Sequence, residues 1–113
     1  MSTLALRVTL EEVLTDEVFA KIYANVDHMA KGMEQVIDKY NAPFRIKTMG
    51  NRLCYHFIPE RAHDPLTGLV QVGFGGLYEF SHTYMWNHGM LIMPYFNMLI
   101  IGPDQNQDDT DKF

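Results

Sequence analysis

The sequence predicts an α+β domain: a small, mainly antiparallel sheet with helices packed on one face. Three observations lead there. A run of about 25 residues beginning near Asp16 spaces its apolar side chains three or four apart, as a one-sided helix requires. The stretch from Phe44 to Phe57 alternates at period two around Met49-Gly50-Asn51, which is the pattern of a hairpin. Towards the C-terminus, two short apolar runs are bounded by Gly89, Pro94 and Gly102-Pro103, residues that end elements rather than extend them.

Taken in order, Leu4, Leu6, Val8, Leu10, Val13 and Leu14 suit a first helix. Thr15 then supplies an N-cap, and Asp16 and Glu17 a first turn whose carboxylates the helix dipole favours. The second helix carries Phe19, Ile22, Val26, Met29, Met33, Ile37 and Tyr40 on one stripe, and Asn41 and Pro43 stop it. At roughly 37 Å it is at least as long as a domain of this size is wide, so it overhangs its own sheet or leans on a further domain or subunit. Phe44 to Thr48 and Leu53 to Ile58 are the predicted strands, with Lys47 pointing outward on the edge. Residues 59–73 have no clean period and form a surface loop. A third helix runs from about Leu77 to His88 and presents Phe80, Tyr84 and Leu77 as its packing face. Strands at Leu91 to Met93 and Met98 to Ile101 follow, and Asn106 caps a last helix.

One domain spanning residues 1–113 accounts for the length, and a chain of this size buries roughly 65% of its unfolded surface. With 47% hydrophobic and 20% charged residues the composition is that of a globular protein. A net charge of −5 and the absence of a basic stripe argue against nucleic acid and against an anionic membrane surface. Cys54 is the sole cysteine, no apolar stretch reaches about 18 residues and no signal core is present, so the cytoplasm is the expected compartment.

Few residues offer chemistry. Lys21, Lys31, Lys39, Lys47 and Lys112 all fall on solvated positions. Gly73-Phe74-Gly75-Gly76 resembles a phosphate loop but lacks the third spaced glycine, and suits a helix entry. His82 and His88 lie six positions apart on one helix, about 240° around it, and cannot share a metal. Cys54 and His56 share one face of a strand, where nothing orients the imidazole for nucleophilic work. No metal site is expected.

The stretch from Met85-Trp86-Asn87-His88-Gly89 through Pro94, Leu99-Ile100-Ile101-Gly102-Pro103 and Gln107-Asp108-Asp109-Thr110-Asp111 resembles the C-terminal end of class III pyridoxal-phosphate-dependent aminotransferases, the group that includes glutamate-1-semialdehyde aminomutase. That family has a helix ending in Asn-x-Gly, an apolar strand leading to Pro, a second strand, and a Thr/Asp-rich turn into the last helix. Leu4-Ala5-Leu6 through Val18, and Gly50 with the strand after it, resemble the start of the same small domain. The last helix stops at Phe113, about two turns in, where family members continue it.

The resemblance implies pyridoxal phosphate for the full-length family, and a homodimer. The family's large domain, with the Schiff-base lysine, has no counterpart in these residues. The chain is therefore expected to have no catalytic residue of its own, to bind no cofactor alone, and to partner such a large domain. Arg52, Tyr95, Phe96 and Asn97 are the positions the resemblance places near the substrate cleft. Two other readings stand beside it: a free-standing module that kept the fold for small-ligand binding or self-association, and an unrelated small enzyme using Cys54 and His56.

Overall fold

Thr15 opens the longest element: its Oγ1 accepts a hydrogen bond from the Val18 backbone N–H at 3.4 Å. The helix it caps, α2 (Asp16–Tyr40), ends where Asn41 turns left-handed at φ 46°. There the Asn41 N–H donates to the Asp38 carbonyl and the Ala42 N–H to the Ile37 carbonyl, closing two of the helix's orphan carbonyls. The computed structural model describes residues 2–58, 76–92 and 97–113, and the predicted loop at 59–73 lies outside them.

Ahead of α2 the expected single helix divides. α1 (Thr3–Val8) continues into a π-helical segment, Thr9–Val13, that ends with the Leu14 N–H donating to the Thr9 carbonyl. No residue of either piece is buried, and Leu4 is 69% exposed. The apolar pattern there forms a helix without covering it.

β1 (Arg45–Met49) and β2 (Arg52–His56) form an antiparallel hairpin, and β3 (Met98–Ile100) pairs antiparallel with the other edge of β2. Gly50 takes φ 58° at the first of the two turn positions, where a tight hairpin needs a conformation that glycine adopts without strain. Asn51 then stitches the turn to the end of β3. Its carbonyl accepts from the Ile101 N–H at 2.9 Å, and its Nδ2 donates to the Ile101 carbonyl at 3.2 Å.

Alternation in β2 decides the layers. Leu53 (0% exposed) and Tyr55 face α2, where Leu53, Leu99, Ile92 and Ile101 pack with Ile22, Val26 and Met29 into one core. The buried part of α2 is therefore its middle; Phe19 and Tyr40, at the ends of the predicted stripe, are exposed. The Cα radius of gyration is 16.0 Å, against about 13 Å for a compact chain of this length, and the longest extent is 46 Å. The C-terminal segment is laced to α2: Lys21 Nζ donates to the Pro103 carbonyl and Asn25 Nδ2 to the Gln105 carbonyl, each at 2.9 Å. Asn106 caps the last helix, α4 (Gln107–Asp111), reciprocally with Asp109.

Two expectations fail. α3 (Gly76–Asn87) buries His82 and packs Met85 on the core, while Leu77, Phe80 and Tyr84 point to solvent, Phe80 at 63% exposure. The inward stripe is Tyr78, Ser81, His82 and Met85, where the Tyr55 hydroxyl lies 3.0 Å from Ser81 Oγ and Met85 packs on the core. Nor do Leu91 and Ile92 form a strand; Met93 lies outside the described residues. α3 closes at Gly89, φ 78°, with the Gly89 N–H donating to the Trp86 carbonyl and the Met90 N–H to the Met85 carbonyl. The chain then drops Ile92 into the core and leaves Leu91 90% exposed. Ile92 joins the core cluster through its side chain alone, without a place in the three-stranded ladder.

Candidate functional site

The same alternation that sends Leu53 and Tyr55 inward puts Arg52, Cys54 and His56 on the opposite face of the sheet. The register sets Arg45 across from His56 and Lys47 across from Cys54 on one side, and Ile100 across from Arg52 and Met98 across from Cys54 on the other. Arg52 and Lys47 are exposed, Cys54 is half-buried and His56 is buried. Burial pushes the Cys54 thiol up, against the smaller pull of Lys47 and Arg52 in the other direction. Burial also pushes the His56 imidazole down, and Arg45 and Lys47 add to that. Both side chains are thus held towards their neutral forms. His56 Nδ1 is buried with no hydrogen-bond partner, so no thiolate–imidazolium pair is assembled among the described residues.

The His56 shift carries a sign for stability. The folded state binds its proton less readily than the unfolded chain, so stability is full above the ordinary histidine value of 6.5 and falls as pH drops through it. Urea unfolding between pH 8 and pH 5 should show this loss, and His56→Gln should reduce it.

On the other face, α2, the sheet, α3 and the C-terminal residue bound an apolar cavity of about 420 Å³. Met33, Phe57, Met85 and Phe113 form much of its wall, and Gly32 leaves open space on α2 where a side chain would stand. Tyr55 Oη and Ser81 Oγ line it 3.0 Å apart, and His28 Nε2 meets Asp111 Oδ1 at 2.6 Å, tying α2 to α4. Sequence reasoning missed this cavity. Gly32 in the middle of a helix, a position that costs about 1 kcal/mol relative to alanine, was the available signal.

Of the four residues expected near a cleft, two are described, and they lie apart. Arg52 is exposed on the outer face, and Asn97 is completely buried at φ 44°, its carbonyl accepting from the Tyr55 N–H. Tyr95 and Phe96 lie outside the described residues, as do Gly73, Phe74 and Gly75. His82 is buried between the rings of Tyr78 and Trp86, and His88 stacks on Tyr84 at the exposed end of the helix. Among the described residues no group of three or more His, Cys, Asp or Glu side chains could hold a metal ion, and no helix is long and apolar enough to cross a membrane.

No protein-family model matches the sequence, and neither does any curated protein. Solved structures do. Two crystal structures of a glutamate-1-semialdehyde aminomutase from Pseudomonas aeruginosa PAO1 superpose on it with a TM-score of 0.84 over 96% of this chain, at 23% identity. The chain has the fold of one part of that aminomutase. It spans 24% of the aminomutase's length, and one of the two structures is a lysine-to-alanine variant in complex with PMP. The aminomutase fold accounts for the helices gathered on one side of the three-stranded sheet.

Proposed function

We propose that this chain is the small C-terminal domain of a class III pyridoxal-phosphate-dependent aminotransferase, serving amino-group transfer or migration only in company with a cofactor-holding large domain. The observation that carries this reading is the superposition of nearly the whole chain on a quarter of the aminomutase. The lysines support it as well. Lys21, Lys31, Lys39, Lys47 and Lys112 are every lysine in the sequence, and all five are exposed on the outside of the domain. The residues here do not by themselves fit pyridoxal phosphate, whose chemistry needs an imine-forming lysine in a sheltered pocket. Arg52 is the cleft residue we retain, since its side chain is free to reach a substrate carboxylate bidentately.

The uncovered apolar side chains of the N-terminal helix support a partner. Leu4, Leu6, Leu10 and Val13 are all exposed, and a large domain or the second subunit of a homodimer would cover them. A free-standing module that self-associates through the same helix is the second reading. A cytoplasmic location belongs to both.

Titrating the chain alone with pyridoxal 5′-phosphate is expected to give no saturable change in cofactor absorbance. Mixing it with a separately expressed large domain of an aminomutase is expected to give a complex by light scattering and aminotransferase activity absent from either part. Aminotransferase activity of the chain alone, abolished by one Lys→Ala substitution, would overturn the proposal; a stable dimer that ignores the large domain would favour the self-associating module.

A further inference from the structure

Charge is distributed unevenly over this acidic protein. From Lys39 to Pro59 the sequence contains no carboxylate, although the chain as a whole carries 14. Arg45, Lys47 and Arg52 all lie in that interval, and strand alternation puts the three on one face of adjacent strands, together with His56. The hairpin register creates this grouping. The carboxylates of the described residues sit on the helices and the C-terminal segment, none on the sheet.

Lys47 and Arg52 are the pair that matters most. Lys47 is opposite Cys54 and Arg52 is opposite Met49, so the two cations are diagonal neighbours, roughly 7–8 Å apart at the backbone. Both are exposed, and among the described residues no carboxylate pairs with either. Like charges placed as neighbours on a sheet repel one another, a cost that an anion bridging them would relieve. Two long, mobile cationic side chains at this spacing can close on one small ligand with two negative charges, and the apolar side chains of Met98 and Ile100 flank the same face through their pairing with Cys54 and Arg52.

We propose that the outer face of the sheet, at Lys47 and Arg52, is a binding site for a small dianion, a dicarboxylate or a phosphate. The inference shares Arg52 with the proposed function, and its test on the isolated chain, which needs no large domain and reads no aminotransferase activity, separates the two.

Cys54 reports on the site from between the two cations. Its thiolate attacks a disulfide reagent, forms a mixed disulfide with one half and releases the other half as a thiolate, so rates follow from absorbance. The dianionic reagent 5,5′-dithiobis(2-nitrobenzoate) is compared with uncharged 4,4′-dithiodipyridine on the same protein. The ratio of the two rates cancels any change in thiolate fraction. At about 10 mM salt, where charges act over roughly 30 Å, the ratio should fall about threefold to tenfold in Lys47→Gln/Arg52→Gln, and should lose its dependence on the two residues near 1 M salt. Both side chains are exposed and their mutual repulsion is lost, so the variant should unfold at no lower urea concentration than the parent. Glutarate or inorganic phosphate should slow the dianionic reagent saturably in the parent protein and not in the variant, the more effective of the two naming the source of the ligand. A ratio unchanged by the substitutions, or no slowing by either anion, would overturn the proposal.

Discussion

Leu53→Ala should cost about 2–5 kcal/mol of stability, the largest effect expected of any single truncation in this domain. Leu53 is fully buried and sits where the sheet meets α2, in the cluster that also holds Ile22, Val26, Met29 and Leu99. Removing its three terminal carbons loses their transfer free energy and leaves a void that must persist, because the opposed groups are themselves fixed: Leu99 by the ladder and Val26 by its helix. With a urea m-value between about 1 and 3 kcal/mol per M, the midpoint should fall by at least roughly 0.7 M. A loss below about 1 kcal/mol would show that the core closes somewhere other than at Leu53. Cys54→Ser, one position along on the opposite face and half-buried, should be much milder, and the contrast between adjacent residues tests the assignment of faces.

Asn97→Val should be the next most damaging change, at about 2–4 kcal/mol. Asn97 has no exposed surface and a φ of 44°, a conformation that asparagine tolerates and a β-branched side chain does not. It also enters β3 directly, with its carbonyl accepting from the Tyr55 N–H. The valine therefore strains the backbone and strips a buried amide in one step. Asn97→Gly separates the two: glycine keeps the left-handed turn and loses only the side chain, so it should recover part of the loss in the same urea experiment. If Asn97 acts solely on a substrate, both variants should unfold like the parent.

The contrast between Asn97 and Arg52 shows how much of the candidate site could be read from sequence. Family resemblance places them together near a cleft, whereas the fold leaves one guanidinium in solvent and one amide wholly inside. No local pattern distinguishes these fates. The apolar cavity was equally hidden, since its wall takes Gly32 from one helix, Ser81 from another and Phe113 from the end of the chain.

Residue order by itself determined the features whose physics is local. Thr15, Asn41, Gly50, Gly89 and Asn106 mark the starts, ends and turns where they were expected, because each closes hydrogen bonds to neighbours within five residues or adopts a dihedral that others resist. The helix–hairpin–helix order and the α+β class follow from those punctuation marks and from the periods between them. Tertiary structure alone decided what is turned towards what. α3 has two candidate stripes a single residue apart, and the one it turns inward meets Tyr55 on β2, 26 residues away, and packs Met85 on the core. Ile92 became a core residue by packing with Ile22, Val26, Leu53 and Leu99 from other elements. Lys47 and Arg52 became neighbours only through the hairpin's register. For α3 and Ile92 the partners are distant in sequence, so the free energy that settles their packing exists only once the chain has folded; Lys47 and Arg52, five residues apart, needed only the hairpin.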